Sequence, residues 1–289
     1  MYKLAKNEII VVKNRKDLPN VLDTNLAVIY PVATGMQKLF FSSKEFEDAF
    51  LLDEGVDDPG ILKCVFMAGG PGAGKSFVAA DIFGIDKKLK SSFSSYGLKV
   101  VNSDRAFEAA LEKHGVDPKD LAKIEKENPE LFAKLTVGKD SAREQAKNLT
   151  NKQLKFYQEG RLGLIIDGTG GNYQKIVKQK KEAEQLGYDT YMVFINTSLE
   201  VALERNRNRS RVLPDSLVKE KWDDVQENLG AFQSLFRNDL YIVDNTSPRK
   251  VYTEIGKAVR KFLSQPIRNP IGKEWVEHAR KLKSLGAIR

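Results

Sequence analysis

One octapeptide restricts this chain more than any other feature. GGPGAGKS spans residues 69–76, directly after the apolar run ILKCVFMAG (61–69) and directly before SFVAADIF. A continuous apolar run of this length reads as a strand buried on both faces, and the segment after the glycines reads as a helix. A glycine-rich turn between two such elements aims backbone N–H groups and a helix N-terminus at one point, which makes a cradle for an anion. The octapeptide matches G-x-x-x-x-G-K-[ST] at every specified position, in the strand–turn–helix setting that the pattern needs. Gly70, Gly72, Ala73, Gly74, Lys75, Ser76 and Phe77 are therefore expected to line the phosphates of a nucleotide. Lys75 is expected to reach the β- and γ-phosphates, and the Ser76 hydroxyl to ligate Mg2+.

Four more apolar runs follow: LKVVN (98–102), LGLIID (162–167), DTYMVFIN (189–196) and DLYIVDN (239–245). Helical patterns separate them. This alternation predicts an α/β fold of the P-loop NTPase class, a five-stranded, mostly parallel sheet with helices on both faces, occupying residues 61–256. A helical insert, 104–160, lies between the second and third of these strands, and Asp117-Pro118 and Asn128-Pro129 should break it. Residues 1–60 read as a separate small α+β extension. There EIIVV, LAVIYPVA and KLFF look like short strands, and SSKEFEDAF begins a helix with Ser42 and Glu45 spaced as a capping box. DEGVDDPG is the expected linker into the sheet. Thr197 and Glu200 repeat the capping-box spacing, which predicts a helix over SLEVALERNRNR that ends before Pro214. Val218, Trp222, Val225, Leu229, Phe232 and Phe236 then recur in steps of four and three, the stripe of a single core-facing helix.

Composition narrows the class. The chain has 289 residues, 41% hydrophobic and 30% charged, which suits a globular protein with a sizeable core. No apolar run is long enough to cross a bilayer, and MYKLAKNEIIVVKNRKDLPN lacks the apolar stretch and cleavage site of a signal peptide. The single cysteine, Cys64, sits in an apolar run and reads as a buried, inert thiol. The expectation is a cytoplasmic protein with no membrane partner. Net charge is +8, but residues 257–289 hold nine Lys/Arg against two Glu, so the rest is near neutral. That excludes a uniformly basic nucleic-acid-binding body and leaves a basic C-terminal segment. Its GKEWVEHARKLKSLG suits an exposed amphipathic helix or a nucleic-acid contact. His114 and His278 show no metal-ligand spacing with each other or with Cys64.

The carboxyl edge of the predicted sheet collects chemistry. VVNSD delivers Asp104 to the edge where open α/β sheets bind ligands. A carboxylate there can accept a proton from an attacking hydroxyl, although Ser103 or Asp104 would equally serve as cap of the helix RAFEAALEKHG. IIDGTGGN ends the third strand. Asp167 stands where a carboxylate holds Mg2+ through water, and Thr169 with its following glycines faces the same cleft, unless this is a polar turn with no ligand. ALERNRNRSRVLP places arginines at 205, 207, 209 and 211. On a helix, Arg205 and Arg209 share one face and Arg207 and Arg211 another, with Arg211 able to turn inward near Pro214. In the insert, Lys139, Arg143 and Lys147 fall on one helix face, suited to an acceptor phosphate or simply to solvent.

Taken together, GGPGAGKS, VNSD, LIIDGTGGN and the Arg-rich segment with its Leu-Pro resemble the P-loop kinases of the zeta-toxin and polynucleotide-kinase type, over about residues 61–250. VNSD is similar to the Val-Asn-Arg-Asp stretch of polynucleotide kinases, whose Asp is the catalytic base, and this implies that role for Asp104. IIDGTG is similar to the Ile-Glu-Gly-Thr-Gly stretch of zeta toxins. ERNRNRSRVLP resembles the lid of phage polynucleotide kinase, where two arginines four residues apart contact ATP. The resemblance therefore implies a lid over 203–214, with Arg205 and Arg209 on the triphosphate. It implies ATP and Mg2+ as cofactors and transfer of the γ-phosphate to a hydroxyl acceptor. Asp104, Lys75, Arg205 and Arg209 would be catalytic, Ser76 and Asp167 would hold the metal, and Asp104, Thr169, Arg143 and Arg211 would meet the substrate. A nucleotide-sugar or other small molecule comes first as acceptor, and a nucleic-acid 5′ end second. A nucleotide-gated binding protein with slow ATPase activity is a third reading. A toxin of this type would have an antitoxin-like protein partner.

Overall fold

The computed structural model describes residues 60–85, 96–209, 212–247 and 252–285, with Val56, Asp57, Ser94 and four short strands ahead of residue 41. Those strands are β1 (Tyr2–Leu4), β2 (Ile9–Val11), β3 (Ala27–Val32) and β4 (Met36–Phe40), arranged in chain order in one sheet. β2 and β3 run parallel and the other two pairings are antiparallel. The three expected strands are present, and β1 is an addition. The helix expected from Ser42 lies outside the described residues.

The main sheet holds β5 (Lys63–Ala68), β6 (Lys99–Val101), β7 (Leu164–Asp167), β8 (Asp189–Asn196) and β9 (Leu240–Asp244). Their order is β6-β7-β5-β8-β9, and every pairing is parallel. Each strand starts and stops within two residues of its apolar run. The helices are α1 (Lys75–Phe83), α2 (Ser103–Lys113), α3 (Leu121–Glu127), α4 (Pro129–Thr136), α5 (Ala142–Glu159), α6 (Tyr173–Gln185), α7 (Leu199–Arg207), α8 (Asp215–Glu227), α9 (Leu229–Phe236), α10 (Tyr252–Ser264) and α11 (Pro270–Ser284).

The twofold period of a strand sends alternate side chains to opposite faces, and here both faces are dry. Cys64, Phe66 and Ala68 of β5 join one cluster with Ile176, Val225 and Phe232 from α6, α8 and α9. Val65 and Met67 join a second cluster with Val78 and Ile82 of α1 and Val259 of α10. Phe232 is fully buried, with ring centroids 5.7 Å from Tyr173 and 6.3 Å from Phe194. The insert breaks at both prolines and has a core of its own, built on Phe107, Leu111, Leu121, Leu135 and Ala146.

Two expectations need correction. The stripe from Val218 to Phe236 is carried by two helices, not one. α8 stops at Asn228, whose Nδ2 donates to the carbonyls of Gly170 (3.0 Å) and Gly171 (3.1 Å), so the break holds the loop after β7. The GKEWVEHARKLKSLG helix, expected to be exposed, packs one face on the core. α11 buries Val276 and Ala279 in the first cluster, and its Arg280 and Lys283 pair with Asp57 at 3.0 and 3.2 Å. Arg268 pairs with Asp239 at 2.9 Å. Below it, Asp189 is buried, accepts from Lys63 Nζ at 2.9 Å, and also accepts the backbone N–H groups of Arg268 and Asn269. Several of its cations therefore fasten the segment to the core.

Candidate functional site

The turn from β5 into α1 has the shape its glycines allow. Gly72 and Gly74 sit at φ 77° and 84°, a region costly to any residue with a Cβ. A Cβ on Gly72 would lie on the Ala202 carbonyl of α7, 2.8 Å from its carbon. One on Gly74 would press on Asn245 Nδ2 and come 3.7 Å from Arg205 Nη1. Asn245, directly after β9, donates from that nitrogen to the Ala73 carbonyl at 2.7 Å. The loop is thus clamped between α7 and the end of β9. The Gly69 N–H donates to the Thr169 carbonyl at 2.8 Å, which ties it to the loop after β7. Lys75 Nζ donates to the carbonyls of Gly69 (2.6 Å) and Gly70 (3.3 Å). Burial lowers the Lys75 pKa, Asp167 opposes this, and Arg209 adds to it. The Ala73 side chain is buried in the second core cluster, so its backbone is the part that would meet a phosphate.

The acidic side of the cleft is arranged by Asn102. Its carbonyl oxygen accepts the Asp104 N–H at 2.7 Å, which caps α2. Its Nδ2 donates to Asp167 Oδ2 at 2.7 Å. Neither Ser103 nor Asp104 is the cap, and Asp104 Oδ1 instead meets Arg143 Nη1 at 3.1 Å. Asp167 Oδ1 is buried and has no hydrogen-bond partner among the described residues. Burial raises the Asp167 pKa, while Lys75 and the Asn102 bond oppose the rise. An orphaned carboxylate oxygen and the Ser76 hydroxyl line one cleft, the all-oxygen donor set that a hard divalent cation takes.

The arginine segment is only partly helical. α7 is capped by Ser198, whose hydroxyl accepts the Val201 N–H at 3.4 Å, so the Thr197–Glu200 capping box does not form. The helix ends at Arg207. Asn206, fully buried, donates to the Leu213 carbonyl at 2.7 Å and accepts the Leu213 N–H at 3.2 Å, which folds the chain back. Arg209 therefore lies past the helix and does not share a helical face with Arg205, yet both line the cleft. Arg205 Nη1 is buried with no hydrogen-bond partner among the described residues. Arg207 pairs with Asp215 and stays outside the cleft, as expected. Arg211 falls outside the described residues.

The cleft is about 500 Å³. Besides the residues above, Phe77, Thr169, Arg143, Lys147 and Lys175 line it. Lys139 does not. Ser141 caps α5, so Lys139 sits in the preceding turn and the stripe reduces to Arg143 and Lys147. Sequence reading missed Lys175 and Asn102. Each carries a signal: Asn172 and Asn102 precede helices at the position where asparagine is a favoured cap.

Among the described residues no helix is long and apolar enough to cross a membrane, and no group of three His, Cys, Asp or Glu side chains suits a metal ion. The chain is similar in fold to solved structures, all with low identity. A chain of the PezAT toxin–antitoxin system of Streptococcus pneumoniae is 15% identical, with a TM-score of 0.46, over 84% of this chain and 94% of that one. Shikimate kinase from Acinetobacter baumannii is 16% identical, TM-score 0.36, over 72% and 96%. A gluconokinase from Sinorhizobium meliloti is 14% identical, TM-score 0.39, over 78% and 98%. No curated protein matches the sequence. The AAA_33 family, described as an AAA domain, matches residues 64–232, from β5 through α9 and more than half of the chain. The chain belongs to this family.

Proposed function

We propose that the protein transfers the γ-phosphate of ATP to a hydroxyl acceptor. The observation that carries this reading is Asp104. Its carboxylate, released from the capping role by Asn102, lines the same cleft as Lys75, Arg205 and Arg209. The cations serve hydrolysis and transfer alike, and a carboxylate in the same cleft can take the proton of an attacking hydroxyl.

The residues divide the work as follows. Backbone N–H groups of the loop and Lys75 hold the β- and γ-phosphates, with Lys75 leaving the carbonyls of Gly69 and Gly70 for phosphate oxygens. Ser76 and Asp167 would hold Mg2+, which supplies charge neutralisation at the β- and γ-oxygens. Arg205 and Arg209 bear on the transferring group, and guanidinium forks match its oxygens better than ammonium groups do. The acceptor oxygen attacks the γ-phosphorus as its proton passes to the Asp104 carboxylate. The bond to the β-phosphate oxygen breaks, and ADP leaves. Phe77 and Thr169 line the same cleft. A small acceptor is favoured over a nucleic-acid end, because Arg268, Arg280 and Lys283 are engaged with Asp239 and Asp57. The test is Asp104→Asn: label transfer should fall roughly 10²- to 10⁴-fold while ATP affinity holds. Wild-type transfer in that variant removes Asp104 from the chemistry.

A further inference from the structure

The cleft holds more positive charge than a nucleotide uses. Six lysines and arginines line it against two aspartates, Asp104 and Asp167. An ionised triphosphate carries four negative charges, of which a divalent cation cancels two, so positive charge remains after the nucleotide binds. The surplus is localised. Arg143 and Lys147 stand one turn apart on α5, Lys147 in a half-exposed pair with Glu144 at 3.1 Å, and Lys175 in the first turn of α6 lines the same cleft. Lys175 has no ion pair among the described residues. The Arg143 guanidinium carbon lies over the buried Phe107 ring, 4.8 Å from its centroid. From there Nη1 meets Asp104 Oδ1, at 3.1 Å.

The geometry points to an anion subsite for the acceptor, formed by Arg143, Lys147 and Lys175, with Arg143 acting as a latch on Asp104. This rests on the kinase reading and deepens it: the acceptor is a small molecule that bears a phosphate or carboxylate as well as the hydroxyl. Arg143 and Asp104 are a partly exposed pair, a third and a half accessible, and such a pair is cheap to break. A phosphate accepts two parallel N–H bonds from a guanidinium and competes well for it. Before the acceptor binds, Arg143 draws the Asp104 carboxylate away from its role as base. When the acceptor's anion takes Arg143, the bond from Arg143 to the carboxylate is released at the moment the hydroxyl is in place. The arrangement restrains wasteful transfer to water.

The test uses the full chain, γ-labelled ATP, a 5′-hydroxyl oligonucleotide and a small-molecule cell extract split by anion exchange into neutral and anionic fractions. Label should appear in the anionic fraction. Arg143→Met and Lys175→Met should each raise the KM for that fraction about ten- to a hundredfold, with little change in the KM for ATP. Arg143→Lys should recover part of the loss. Arg143→Met should also raise acceptor-free ATP hydrolysis several-fold. Label entering only neutral compounds, with Arg143→Met behaving as wild type, overturns the subsite and leaves the kinase reading standing. Label entering only a 5′-hydroxyl oligonucleotide overturns the small-molecule acceptor. No label on any acceptor, with ATP still bound, overturns the kinase reading and the subsite with it. Lower acceptor-free hydrolysis in Arg143→Met overturns the latch.

Discussion

Gly72→Ala tests how tightly the phosphate loop is held against the lid helix. Two costs add. At φ 77° an L-residue pays about 1–2 kcal/mol for its Cβ, offset by about 0.4–1 kcal/mol because alanine restricts the unfolded chain. The new Cβ would also lie on the Ala202 carbonyl, 2.8 Å from its carbon and 2.9 Å from its Cα. Those are backbone atoms of a fully buried residue in α7, so no side chain can swing aside. The loop and α7 must part by about 1 Å, and an overpacked site of this kind costs about 1–3 kcal/mol more. Gly115→Ala is the control, because it shares the conformation at φ 71° and has nothing within 4 Å of its Cβ. Thermal unfolding should place Gly115→Ala within about 1 kcal/mol of wild type. Gly72→Ala should lose about 2–4 kcal/mol, roughly 4–16 °C at about 2–4 °C per kcal/mol. Because α7 carries Arg205, displacement should also lower transfer about 10²-fold in protein that remains folded. Equal losses in the two variants would refute the packing of the loop on α7.

Three other perturbations separate binding, chemistry and stability. Burial raises the Asp167 pKa, so the penalty of the ionised carboxylate is present above its folded pKa and relieved as pH falls through it. Asp167→Asn keeps an acceptor for Asn102, so the nucleotide-free protein should melt at the same or a higher temperature at alkaline pH, with the gap closing in acid, while Mg2+-dependent ATP affinity falls. Arg205→Ala should cost transfer about 10³-fold, whereas Arg207→Ala, which removes an exposed pair with Asp215, should leave it within twofold; comparing kcat for the two checks this. Asp189→Asn strips the charge partner of Lys63, which is 1% exposed, and should destabilise the protein by about 3–5 kcal/mol in denaturant unfolding without loss of ATP affinity per folded molecule.

The sheet was legible because β5 to β8 are buried on both faces and read as apolar runs bounded by polar residues, as does β9 although it is a half-exposed edge strand, whereas β1, three residues of YKL, has no such run. The phosphate loop was legible because its chemistry dictates residue types at fixed spacing. What stayed hidden is carried largely by asparagines. Asn102 joins Asp104 to Asp167, Asn206 ends α7, Asn228 splits the aromatic stripe, and Asn245 grips the loop at Ala73. An asparagine makes such bonds to whatever the fold brings near, over separations of up to 172 residues, so no local period announces it. The arginine spacing misled for the same reason. Arg205 and Arg209 reach one cleft, but through the turn that Asn206 imposes rather than through a continuous helix. The charge of the C-terminal segment was legible and its use was not, since Asp57, Asp189 and Asp239 lie far away in sequence.

The central claim is that this cleft moves a phosphoryl group to a hydroxyl and not to water. The most direct measurement incubates the full chain with γ-labelled ATP and Mg2+, in the presence of a nucleotide-sugar panel, a 5′-hydroxyl oligonucleotide and a small-molecule extract, with Asp104→Asn alongside. Label should appear on an acceptor with wild type and fall roughly 10²- to 10⁴-fold with the variant. Label found only as free phosphate, at equal rates in both proteins, contradicts the claim.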